Sequence, residues 1–247
     1  MIISHKNKYL FLCLPRTGTT AIRKELCANY DGEEILYKHA PYSQFLKIAS
    51  NEEKEYKIIA TIRNPLDRTL SLYFKYKSNH DSINDKQIKN IGNKNFIQRF
   101  LIGIANKILG KRAQSVASGS MNFPEFIKNY FNTPYCDWHS LYLKEYDYII
   151  HFENMNEDFT KTLTSIGLDV VRDIPYTNKT KKDEDVSIEK YYTSEIIPLV
   201  QKNYYYAMKL YGYSFPKTWP EYQPTIFDKI KYILYCSIKQ MYWKYIR

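Results

Sequence analysis

Three stretches of the chain are almost continuously apolar: Tyr9 to Leu14, Tyr56 to Ile62 and Tyr146 to Phe152. Each leads through a turn into a segment whose apolar residues recur every three or four positions. Runs buried on both faces and alternating with helices predict an α/β fold: three layers, with a parallel sheet flanked by helices. Between the first two runs, EILYKH (Glu34 to His39) reads as a further strand and YSQFLKIAS (Tyr42 to Ser50) as a helix through Phe45, Leu46 and Ile48, so the βαβ order repeats. After Ile62, PLDRTLSLYFKYK begins a helix at Pro65 with Asn64 as its cap. Further helices are predicted over Phe123 to Phe131, over Glu153 to Ile166, and as one long element from Ile188 to Tyr211 ended by Gly212. Residues 79–121, rich in Asn, Lys, Ser and Gly but containing the helix-like IQRFLIGIANKIL, read as a helical insertion or lid within a domain spanning 1–215. A Pro-punctuated linker then leads into a tail, 216–247, with a C-terminal amphipathic helix.

Composition narrows the partners. With 247 residues, of which 44% are hydrophobic, the chain has the size of one well-buried domain with a tail. Its net charge of +10 favours anionic partners: a charged cofactor, an anionic membrane surface or nucleic acid. No nucleic-acid module is recognisable, so nucleic acid ranks last. Four cysteines without C-x-x-C spacing imply reduced thiols and no zinc site. Without an apolar leader or a run long enough to span a bilayer, the expected location is cytoplasmic, at most peripheral on the inner face of the membrane. The 25 tyrosines read as compositional bias of the source genome.

The candidate chemistry lies at two strand-turn-helix junctions. PRTGTT, after the first strand, lacks the G-x-x-x-x-G-K-[ST] pattern of a nucleoside triphosphatase loop, with Thr where the Lys belongs. It offers backbone N–H groups around Thr17, Gly18, Thr19 and Thr20, hydroxyls, the Arg16 guanidinium and a helix N-terminus, which suits a compact tetrahedral anion without a metal. At the second junction Arg63 emerges from a strand, while Arg68 and Ser71, three residues apart, share a helix face and provide for a second phosphate. Both junctions belong to the carboxyl edge of the sheet, where open α/β folds bind ligands.

PRTGTT resembles the 5′-phosphosulfate loop of sulfotransferases that use 3′-phosphoadenosine 5′-phosphosulfate (PAPS), and RNPLDRTLSLY is similar to their 3′-phosphate motif R-x-P-x-x-R-x-x-S-x-Y. YDYIIHFENMNEDF and the NKTKK segment with its Tyr-rich helix ending YGYSF resemble later parts of the family, so the likeness covers about residues 9 to 215. It is nearest the carbohydrate-type branch, since the late R-K-G motif of the small-molecule branch is absent. The resemblance implies a P-loop-like fold, PAPS as donor and 3′-phosphoadenosine 5′-phosphate as product. It implies a 5′-phosphosulfate held by Arg16, Gly18, Thr19 and Thr20, with Arg16 standing where Lys is common, and a 3′-phosphate held by Arg63 and Ser71. The expected acceptor is a carbohydrate or glycolipid hydroxyl.

In-line sulfuryl transfer needs a base for the acceptor proton. His39, at the end of the second expected strand, is the first candidate; Glu33, Glu34 and His139 remain open beside it. His151, inside a strand, reads as a hydrogen-bonded structural histidine, and Glu153 as a helix-start acid. Lys179, Lys181 and Lys182 either close over the nucleotide or form a solvated charge run. Phe227 to Arg247 holds five basic residues against one acid, interleaved with Ile, Leu, Tyr and Trp. It suits an interfacial helix on an anionic membrane or a helix docked on the protein's own core. Rival readings are a P-loop nucleotide kinase or phosphotransferase, and a noncatalytic basic membrane-docking protein.

Overall fold

The computed structural model describes residues 1–78, 110–136, 146–175 and 187–245. They form two compact units, each built from separate stretches of sequence: 1–64 with 146–175, and 65–78 with 110–136 and 187–245.

The first unit holds a five-stranded sheet in the order β3-β1-β2-β4-β5. Its strands are β1 (Ile2–Ser4), β2 (Tyr9–Leu12), β3 (Glu33–Glu34), β4 (Lys57–Ile62) and β5 (Tyr148–His151). The three apolar runs became β2, β4 and β5, and these neighbours pair in parallel. The expectation of an all-parallel sheet is corrected at its other side, where β1 pairs antiparallel with both β2 and β3. Only four residues separate β1 from β2, enough for a hairpin turn and far too few for a parallel crossover. In that turn the Asn7 N–H donates to Ser4 Oγ at 3.2 Å and Lys8 takes a positive φ of 50°. The expected strand over Glu34 to His39 shrinks to Glu33–Glu34, because Leu36 adopts a left-handed φ of 54° and ends the extended run.

Successive strand residues enter opposite layers, which explains why the runs carry no polar alternation. Ile2, Tyr9, Phe11, Cys13, Ile59 and Ile150 face a core completed by α1 (Thr19–Asn29) and α5 (Met155–Ser165). Ile3, Leu10, Leu12, Leu14 and Ala60 face the other core, closed by Phe45 of α2 (Tyr42–Ile48) and by Tyr56. The sheet of this unit is therefore flanked by helices on both faces. Glu153 precedes α5 in a 3-10 turn, Phe152–Asn154, and its carboxylate accepts the Asn64 N–H at 2.8 Å.

The second unit is helical: α3 (Pro65–Lys77), α4 (Phe123–Tyr130), α6 (Ile188–Tyr191), α7 (Ile197–Leu210) and α8 (Ile226–Tyr245). Asn122 and Glu125 form a reciprocal capping box at α4. The single helix expected from Ile188 to Tyr211 is corrected to two, α6 and α7. Pro198 lacks an N–H and is compatible only with a helix's first turn, so α7 restarts around it. Tyr192, at the break, is buried and donates its hydroxyl to the Leu66 carbonyl at 2.9 Å. The unit's core is aromatic, with Tyr73, Phe123, Phe126 and Tyr192 packed edge to face. Residues 110–117 are helical and contribute Ala113 and Val116 to that core; 79–109 lie outside the described residues.

Arg112 is enclosed there, its guanidinium carbon 4.7 to 4.9 Å from the ring centres of Phe126, Tyr130 and Phe131 and 5.6 Å from that of Tyr76. Its Nε and Nη2 have no hydrogen-bond partner among the described residues.

Candidate active site

The turn after β2 is closed by its own side chains. Thr17 Oγ1 donates to the Leu14 carbonyl at 2.9 Å and lies 2.5 Å from Thr61 Oγ1 of β4; Thr19 Oγ1 reaches the same carbonyl at 3.4 Å. The hydroxyls of Thr17 and Thr19 thus shape the loop from within, and what they leave for a ligand is backbone. Arg16 and Gly18 both have left-handed backbones, φ 67° and 79°. A left-handed Arg is costly, a cost it shares with Lys8, Asp31 and Leu36 elsewhere in this unit. Gly18 is obligatory on two grounds: its φ, and a Cβ there would sit 2.2 Å from Met155 Cε and 2.9 Å from the Phe152 ring. It is also the N-cap of α1 and supplies no capping side chain; its carbonyl takes the Ala21 N–H at 3.2 Å, and the Thr19 and Thr20 N–H groups stand with the positive end of the helix dipole at the loop.

Two basic residues on the neighbouring segment complete the cradle. Lys38 Nζ donates to Thr20 Oγ1 at 2.9 Å, which brings an ammonium to the start of α1. Sequence reasoning passed over Lys38; its place beside His39 in LYKHAP was the available signal. His39 is half-buried, and its Nδ1 lies 2.6 Å from the Cys13 carbonyl oxygen. A carbonyl only accepts, so Nδ1 carries the proton and the Nε2 lone pair is left to take one. Burial holds the imidazole below its usual value, with the Lys38 charge acting in the same sense and the Cys13 bond opposing it.

Arg63 leaves the end of β4 beside this loop. Its Nη1 donates to the Arg16 carbonyl at 3.4 Å, and its guanidinium lies over the Phe152 ring at 4.2 Å. Because β2 and β4 are adjacent and parallel, both turns emerge from the same carboxyl edge. The first unit therefore brings together Arg16, Thr17 to Thr20, Lys38, His39 and Arg63. Arg68 and Ser71 belong to the second unit on α3, where Arg68 Nη1 donates to Tyr135 Oη at 2.7 Å and Ser71 is buried.

The other base candidates separate. Glu34 is exposed on the edge strand and ion-paired with Arg23, whose guanidinium holds its carboxyl below the usual range. Glu33 is exposed beside it. His139, Lys179, Lys181 and Lys182 lie outside the described residues. His151 Nδ1 donates to Asp158 Oδ2 at 2.7 Å, a pairing inside the first unit. Among the described residues no group of three or more His, Cys, Asp or Glu side chains could hold a metal ion.

A mixed α/β fold with a basic, glycine-turned cradle at the carboxyl edge of its parallel strands is the arrangement in which open α/β folds bind anions. The Sulfotransferase family model matches residues 1–214, and the chain belongs to that family. No curated protein and no solved structure matches the chain.

Proposed function

We propose that the protein transfers a sulfuryl group from PAPS to an acceptor hydroxyl, on a carbohydrate or glycolipid. The observation that carries this reading is the convergence of the Arg16–Gly18 turn, Lys38 and Arg63 with an imidazole whose Nε2 is kept unprotonated. The turn's N–H groups, Arg16 and Lys38 bind the 5′-phosphosulfate. Their charge is placed to favour the negative charge that grows on the phosphate oxygen as its bond to sulfur breaks. His39 Nε2 takes the acceptor proton as the new sulfur–oxygen bond forms, an in-line exchange that depends on positioning more than on covalent catalysis. Lys38 supplies the point charge that the family pattern usually has at position 16. The R-x-P-x-x-R-x-x-S-x-Y motif implies the 3′-phosphate role for Arg63 and for Ser71. Residues 1–215 are read as the transfer domain and 216–247 as an appended tail. The carbohydrate acceptor rests on the likeness to the carbohydrate-type branch.

The test is calorimetric titration with 3′-phosphoadenosine 5′-phosphate, alongside ATP with magnesium. Binding that is metal-independent, selective for the desulfated donor and weakened at least tenfold by Arg16→Ala or Arg63→Ala is expected. Preference for ATP with magnesium would replace the reading with a phosphotransferase.

A further inference from the structure

The C-terminal helix α8 is amphipathic in the inverted sense. The residues it turns toward its own unit are polar or aromatic. Asp228 accepts from Tyr222 Oη and Thr225 Oγ1 at 3.0 and 2.7 Å, and Tyr232 stacks on Tyr206 at 5.3 Å. One turn further on, Tyr235 Oη accepts from Thr133 Oγ1 at 3.0 Å, Cys236 and Cys136 bring their sulfurs within 2.7 Å, and Lys239 Nζ donates to the Cys136 carbonyl at 3.1 Å. These positions, 228, 232, 235, 236 and 239, recur at three to four residues and define one face.

Away from those contacts the helix exposes Ile226, Phe227, Ile230, Ile233, Leu234, Ile238 and Met241, each between 46% and 70%, with exposed Ser237 and Gln240 among them; Leu234 and Ile238, with Lys231, also line a groove that the helix forms with Thr133 and Leu199 of its own unit. This apolar ladder, interrupted at Ser237, runs along most of the helix, where an ordinary surface helix would be polar. Lys229 and Lys231 are exposed at its two margins, and no carboxylate lies on the exposed side, the helix's one acid, Asp228, being buried on the docked side.

We propose that this face lies flat in the interface of an anionic membrane, with the apolar ladder in the acyl boundary and Lys229 and Lys231 reaching the headgroups from either side. Charge selects the occupant. A second copy of the helix would set lysine against lysine with no acid to answer them, whereas an anionic leaflet complements both margins. Attachment is peripheral, since no described helix is long and apolar enough to cross a bilayer. The polar contacts on the docked side fix the helix to its own unit, so that the ladder is presented without unfolding anything. The inference does not depend on the sulfotransfer reading.

The full chain is sedimented with phosphatidylcholine vesicles and with vesicles that also contain phosphatidylglycerol. Binding to the anionic vesicles is expected, together with weak binding to the zwitterionic ones. Lys229→Gln and Lys231→Gln should each lower partitioning about fivefold. Ile230→Gln with Leu234→Gln should abolish it, while calorimetric binding of the desulfated nucleotide and the circular dichroism spectrum stay unchanged. No vesicle binding by the parent chain, or binding untouched by these substitutions, overturns the proposal. So does a dimer in sedimentation equilibrium without lipid that Ile230→Gln with Leu234→Gln dissolves, because the face then belongs to a second copy.

Discussion

At the scale of single residues, Gly18 joins the turn after β2 to the support of Arg63. A methyl group added there meets Met155, whose flexible end can yield, and also Phe152, whose ring supports the Arg63 guanidinium. Gly18→Ala therefore combines a left-handed backbone penalty of about 1 kcal/mol with displacement of the Arg63 platform. A thermal melt should show the lost stability, and nucleotide titration a loss of affinity beyond what unfolding explains. His39 makes a second prediction. Its folded value is depressed, so the unfolded chain takes the proton more readily; the associated stability is present above about pH 6.5 and is lost as pH falls through the folded value. A base must be unprotonated, so turnover should fall on the acid side with an apparent value below 6.5. His39→Gln should lose that limb and about a hundredfold or more in rate. That Arg16, Gly18, His39 and Arg63 lie at one edge of the sheet was readable in the sequence because their strand-turn-helix setting is local. Lys38 was not, because only the fold of residues 35–40 carries its ammonium to Thr20.

At the scale of elements, the ends of α7 show how far local pattern reaches. Gly212, φ 73°, closes the helix with the Tyr213 N–H on the Met208 carbonyl at 2.9 Å and its own N–H on Lys209 at 3.3 Å. A Cβ there would meet nothing within 4 Å, so the cost of Gly212→Ala is conformational alone, about 1 kcal/mol. Chemical denaturation should show that loss with nucleotide affinity unchanged, in contrast to Gly18→Ala. The stop at Gly212 was legible from the sequence. The break before Pro198 was equally local, yet the apolar periodicity runs straight through it and hides it. β1 escaped because three residues are too few for any periodicity, and the EILYKH strand was overestimated because nothing in its composition announces the left-handed turn at Leu36.

At the scale of the whole molecule, each compact unit is assembled from stretches far apart in sequence, a division no local pattern encodes. The order of the two anion motifs was the stronger guide, and it led to the family that the match over 1–214 establishes. The tyrosine-rich composition, by contrast, appeared uninformative until the second unit's core showed where many of those rings go. Arg112 gives them a further meaning. Burial pushes its guanidinium below the usual arginine value, and the negative π faces of Tyr76, Phe126, Tyr130 and Phe131 stand in for the water it has lost. Such a core is a solvent for one ion, and removing the ion should be easier than removing the solvent. Arg112→Met is expected to leave the melting temperature unchanged or higher, as replacement of buried charges by apolar side chains often does. Phe126→Leu should lower it by more than its lost area alone accounts for. If both hold, the aromatic bias of this chain sets the polarity of its interior as well as its volume.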